Sequence, residues 1–113
     1  MDPKSELLAK FTPKPVKVDL TTVAATVHIL PWSLNERLAF REWAAGAKNN
    51  LPAVYRRMIA SSVCDEAGKL LFSEGDLQTI GGEVAEELAE NINELNGIVG
   101  RDAKKGSSAN VQN

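Results

Sequence analysis

The chain has 113 residues, 43% of them hydrophobic and 25% charged, with one Cys, one His and a formal net charge of −2. That length fits one small domain able to bury a core without staples. A lone Cys excludes an internal disulfide framework and Cys-based zinc sites, and a lone His excludes HExxH and other multi-His centres. No apolar run approaches the ~18 residues that a membrane-spanning helix needs. The opening Met1-Asp2-Pro3-Lys4-Ser5-Glu6 lacks the apolar stretch of a secretory leader. A cytoplasmic location is expected, with no membrane partner.

Along the chain, Asp2 caps a first short helix with Pro3 at its first position, and Leu7, Leu8 and Phe11 share a face. Thr12-Pro13-Lys14-Pro15 ends it, because proline cannot continue a helix. Val16, Val18 and Leu20 then alternate with Lys17 and Asp19. After Thr21-Thr22, the same period of two runs through Val23, Ala25, Val27 and Ile29. This predicts a β-hairpin that Pro31 closes. Its turn lacks Asn-Gly or Asp-Gly, so its position is open.

Ser33-Leu34-Asn35-Glu36 forms a capping box. The helix it starts runs to about Ala45, with Gly46 as a stop. It carries two apolar stripes: Leu34, Leu38 and Ala45, and Phe40, Trp43, Ala44 and Ala47. Asn50 caps the next helix, whose stripe is Leu51, Val54, Tyr55, Met58, Ile59, Ser62 and Val63. Cys64 to Lys69 reads as a turn before Leu70, Leu71 and Phe72. Ser73 and Asp76 form a second box, leading into a short helix with Leu77 and Ile80. Gly81-Gly82 breaks the chain before a last helix, about Glu83 to Asn96, striped by Val84, Leu88, Ile92 and Leu95. Gly97 suits a left-handed cap, with Ile98 folding back on it. Arg101 to Asn113 is small and polar and is expected to be disordered. The expected architecture is α+β, mainly α: a short helix, a hairpin and about four helices in residues 1–100, then a tail over residues 101–113.

Little of this carries reaction chemistry. His28 falls on the polar side of its strand, with no Ser or Cys at a recognisable spacing. Cys64 reads as a buried thiol beside Asp65 and Glu66, which oppose a thiolate. Asp65, Glu66 and Gly68 lack the spacing of a calcium loop. Glu86, Glu90 and Glu94 share a helical face without a second carboxylate helix opposite. No catalytic residue, cofactor or metal is expected. Trp32 reads as a staple onto Arg37 or Leu38, and Trp43 as core. Charge is unevenly spread: residues 83–96 hold five Glu and no Lys or Arg, whereas residues 36–57 hold five basic residues against two acidic ones.

The order of elements resembles a known family. The segments that carry it are Leu-Leu-Ala-Lys-Phe, Pro-Lys-Pro-Val-Lys-Val, Val-His-Ile-Leu, and Ser62 to Leu77 with its Val-Cys-Asp turn, Gly68, Phe72 and Asp76-Leu77 pair. Over about residues 5–98 the chain is similar to the tail assembly chaperones of long-tailed phages and prophages. That resemblance implies a non-enzymatic protein of the host cytoplasm, absent from the finished virion. It would self-associate, bind the helical tape measure protein and recruit tail tube subunits. It also implies a second, frameshifted product, and Lys104-Lys105-Gly106 is compatible with a slippery A-rich heptamer.

The expected working surface is the two-striped helix, with Leu38, Phe40, Trp43, Arg37 and Arg41, paired in a neighbouring copy with Glu87, Glu90 and Glu94. Two other readings stay open at this point. One is a small helical adaptor or regulator of another process. The other is a nucleic-acid module using Lys14, Lys17, Arg37, Arg41, Arg56 and Arg57, which the acidic balance opposes.

Overall fold

A computed structural model describes residues 2–97. The expected tail over residues 101–113, the Ile98 cap contact and the frameshift position lie outside the described residues. The architecture is α+β and mainly α, as expected. Helix α1 (Pro3–Phe11) precedes strands β1 (Val16–Asp19) and β2 (Thr26–Ile29). Helices α2 (Leu34–Gly46) and α3 (Leu51–Ala60) follow, then β3 (Val63–Cys64), a 3₁₀ turn (Gly75–Leu77) and α4 (Gly82–Asn96).

The three strands form an antiparallel sheet in the order β1-β2-β3. Val16 pairs with Ile29 and Val18 with Val27, while Lys17 stands opposite His28 on the other face. Alternation therefore sorts the hairpin as read. Its second strand is shorter than expected, however, because Val23 and Ala25 lie in the connecting loop. Leu20 N–H donates to the Ala25 carbonyl, closing the loop before pairing begins.

The helix stripe extended to Ser62 and Val63 needs a second correction. Helix α3 stops at Ala60, and Val63 instead pairs with Ile29 as the third strand. A β-branched residue suits that role, and it supplies the edge of β2 with a partner. The chain then reverses at Asp65–Lys69, where Gly68 adopts φ 92°. Asp65 Oδ1 accepts from the Ala67 and Lys69 amides, which hold its carboxyl below the usual carboxylate range. Leu70 bridges back to Cys64, and Leu71 N–H donates to the Val63 carbonyl.

The Leu77–Ile80 stretch is the third departure. In place of a helix there is a single 3₁₀ turn over Gly75–Leu77, so three α-helices and that turn follow the hairpin. Its box is present: Ser73 N–H donates to Asp76 Oδ2, and Asp76 N–H donates to Ser73 Oγ. The following Gly81-Gly82 restarts the chain as α4 before the turn can lengthen.

The core lies where β2, β3, α3 and α4 meet. Ile29, Ile59 and Ile92 are fully enclosed, with Leu20, Trp32, Met58, Val63, Leu77 and Leu88 around them. Small Ala85 and Ala89 on α4 let it approach closely. Leu51 and Leu95, expected on buried stripes, are exposed. On α4 the inward row ends on Asn96 instead, at i+4 from Ile92. Gly97 closes that helix at φ 64°, the expected left-handed cap.

Candidate protein-binding surface

Helix α2 starts as the sequence requires. Glu36 N–H donates to Ser33 Oγ, and Ser33 N–H donates to Glu36 Oε1. No residue of this helix is fully buried, so it lies against the body by one side only. The inward side is the aromatic stripe. Phe40 packs on Trp32 with ring centroids 4.6 Å apart and on Trp43 at 6.0 Å. The Arg57 guanidinium sits 4.5 Å from the Trp43 ring centroid, a cation–π contact from α3. Trp32 is therefore a buried ring stacked on Phe40, one turn beyond the Arg37 or Leu38 staple expected of it.

The outward side is the aliphatic stripe: Leu34 is 70% exposed and Leu38 48%. The two stripes thus part company. Phe40 and Trp43 attach the helix, while Leu38 faces away with Arg41.

The charged residues also separate. The Arg37 guanidinium donates to the main-chain oxygen of Asn96, clamping α2 to the end of α4. The Asn96 side chain reinforces this junction. Its Oδ1 accepts from Trp32 N–H at 2.8 Å, and its Nδ2 donates to the Ile92 carbonyl. The Glu87 carboxylate accepts four hydrogen bonds, from the amides and hydroxyls of Thr21 and Thr22, at 2.7–2.9 Å. Those donors pull its pKa down to about 2. Arg37 and Glu87 therefore serve the fold of one chain, while Arg41, Glu90 and Glu94 lie on the surface.

Two further features were not legible as sites. Leu70, Leu71 and Phe72 are all exposed beside β3. A cleft of about 400 Å³ lies between α2, the end of α3 and this segment, lined by Trp32, Phe40, Arg57, Leu70 and Glu74 among others. Arg57 and Glu74 approach to 3.9 Å across it, a solvent-exposed pair of small energetic weight. Apolar residues of a short run carry no period, so only the fold reveals that this one stays outside.

Among the described residues no group of three His, Cys, Asp or Glu is placed to hold a metal ion. Cys64 is buried, its Sγ 3.6 Å from the His28 carbonyl, and burial pushes the thiol pKa up. No helix among the described residues is long and apolar enough to cross a membrane.

The described residues thus define a small α+β domain whose conspicuous surface feature is apolar side chains left outside the core. The chain belongs to the phage tail assembly chaperone family, whose model matches residues 5–96. No curated protein and no solved structure matches it.

Proposed function

We propose that this chain acts by contact, without catalysis, binding the tape measure protein in the host cytoplasm and promoting tail tube assembly around it. The observation that carries this reading is the unburied aliphatic face of α2, Leu34 and Leu38, on a helix anchored from behind by Phe40 and Trp43. A rigid helix with an apolar face suits docking against another helix. The tape measure protein presents long helices of that kind. Exposed Leu7, Leu8 and Phe11 on α1 and Leu70 to Phe72 add apolar area for a long client.

Self-association belongs to the same reading. Arg41 from one copy meets Glu90 and Glu94 of another, with Leu38 at the centre of the contact. The charges set orientation more than affinity. Arg41→Glu is expected to lower the mass seen by light scattering, whereas an unchanged mass removes this contact. The chain is released before the virion is complete. A frameshifted product would extend it near Lys104, and a gene with no slippery run at those codons excludes that.

The reading is tested by co-expression with the neighbouring tape measure protein. The expected result is co-purification and a soluble tape measure protein, both reduced by Leu34→Ser with Leu38→Ser. A tape measure protein equally soluble without this chain would contradict it.

A further inference from the structure

Strand β1 lies at one margin of the sheet and β3 at the other. The β3 margin is occupied, because Leu70 bridges to Cys64 and Leu71 N–H donates to the Val63 carbonyl. Among the described residues no strand pairs with the outer side of β1. Its outward main-chain groups follow from the ladder. Leu20 N–H donates to the Ala25 carbonyl, and hydrogen-bonded pairs alternate with non-bonded ones along an antiparallel ladder. Val16, Val18 and Leu20 therefore exchange hydrogen bonds with β2, while the N–H and C=O of Lys17 and Asp19 point away from it. The row of outward donors is bounded at both ends. Pro15 has no N–H, and Thr21 N–H is already donated to Glu87 Oε2.

This edge is complementary to itself. Two copies of β1 related by a two-fold axis run antiparallel, and residues directly opposite share a face. With Val18 on the axis, Lys17 stands opposite Asp19 of the second copy, and Asp19 opposite its Lys17. The outward donors then face one another's outward carbonyls, each pair exchanging both of its main-chain hydrogen bonds. Pro15 falls opposite Thr21, the pair in which neither residue has a donor to offer. The side chains agree. Lys17 and Asp19 are exposed, and opposite Cβ atoms stand about 5 Å apart, so ammonium meets carboxylate. Asp19 Oδ1 accepts from Thr26 Oγ1, which leaves Oδ2 for that contact. On the other face Val18 meets its own copy, and Val16 meets Leu20. Moving the axis to Lys17 sets two ammonium groups opposite, and moving it to Asp19 sets two carboxylates opposite. Like charges in that position destabilise. A short edge strand with a lysine and neighbouring prolines ordinarily discourages pairing; here those residues reject the adjacent registers and keep this one.

We propose that β1 pairs with β1 of a second copy about a two-fold axis at Val18, joining two sheets into one. The inference rests on the sheet and does not depend on α2 as the client-binding face. An isologous contact is used up within a pair, so it stops at dimers, and the Arg41 contact proposed above would link dimers into a longer assembly. A strip this narrow belongs with the smallest interfaces and should hold only at high chain concentration.

The test uses the full chain carrying Arg41→Glu, which removes the other proposed contact. Mass is followed by sedimentation equilibrium up to about 1 mM chain, and a rise from monomer toward dimer is expected. Adding Lys17→Asp or Asp19→Lys should raise the dimer dissociation constant about tenfold, since each sets like charges opposite at both pairs. An equimolar mixture of those two variants restores opposite charges at both pairs and should recover the unsubstituted affinity as a heterodimer. Rescue by mixing is a result that misfolded variants do not give. A chain that stays monomeric overturns the proposal, as does a dimer that the single variants leave intact or a mixture that associates no better than its components. The register is read from a dimer of ¹³C-labelled and unlabelled chains. An intermolecular Hα–Hα cross-peak of Val18 with itself is expected, because non-hydrogen-bonded partners bring Cα atoms within about 4.5 Å. A dimer without that cross-peak also overturns the proposal. Tape measure binding that fails leaves this contact standing, and loss of this contact leaves the α2 face untouched.

Discussion

Glu87 shows how one side chain decides a loop. Hydrogen bonding to the ionised form holds its pKa at about 2 against an ordinary 4.5, so the interaction stabilises the fold above the ordinary value. The contribution is lost as pH falls from about 4.5 to about 2. Urea unfolding of the native chain and Glu87→Gln should therefore give midpoints that differ at pH 7 and converge toward pH 2. A gap independent of pH would show that the carboxylate charge is not what the threonines recognise. Asn96 is the other decisive residue, because it is 2% exposed and fully paired. Asn96→Ala leaves Trp32 N–H without its acceptor and should cost roughly 1–3 kcal/mol by denaturant titration. Neither role was legible beforehand. Glu87 read as a surface glutamate pairing with the basic face of a neighbouring copy, and Asn96 as the last residue of a helix whose stripe ended on Leu95. Both depend on what α4 meets across the fold, which periodicity does not record.

At the scale of elements, local signals were the most legible. The Asp2 cap, the Ser33–Glu36 box, the Asn50 cap and the Gly97 turn all form where their residue types require. Each satisfies helix-end groups within a few residues, so tertiary context does not override it. The Ser33→Ala variant should cost about 1 kcal/mol and fray α2 at its start, measurable by unfolding and by amide exchange at Glu36, whose N–H loses the Ser33 Oγ acceptor. Legibility failed at β3, where Val63 continues a helical period yet pairs with Ile29. A two-residue strand is defined by its partner, not by its own pattern. Helix α1 has nine residues and none buried, and short helices are marginal without packing. Its amides should exchange with solvent well ahead of those in α4. Equal protection in the two helices would mean that α1 is covered in solution.

For the whole molecule, the proposed function rests on the division between inside and outside. Ile29, Ile59 and Ile92 close the core completely, and Ile92→Ala should cost about 2–5 kcal/mol. The fold class and both stripes of α2 were legible in the sequence. Which stripe faced inward was not, because period alone gives two equivalent faces. The aromatic contacts Trp32–Phe40 and Phe40–Trp43 settle the choice, and they split the expected working surface into an anchoring half and an exposed half. The most direct test is the affinity of the purified chain for the tape measure protein, compared with Leu34→Ser/Leu38→Ser. Two exposed leucines taken out of water contribute about 1 kcal/mol or more together. The account predicts at least a roughly fivefold loss of affinity with an unchanged melting temperature. An unchanged affinity would contradict it.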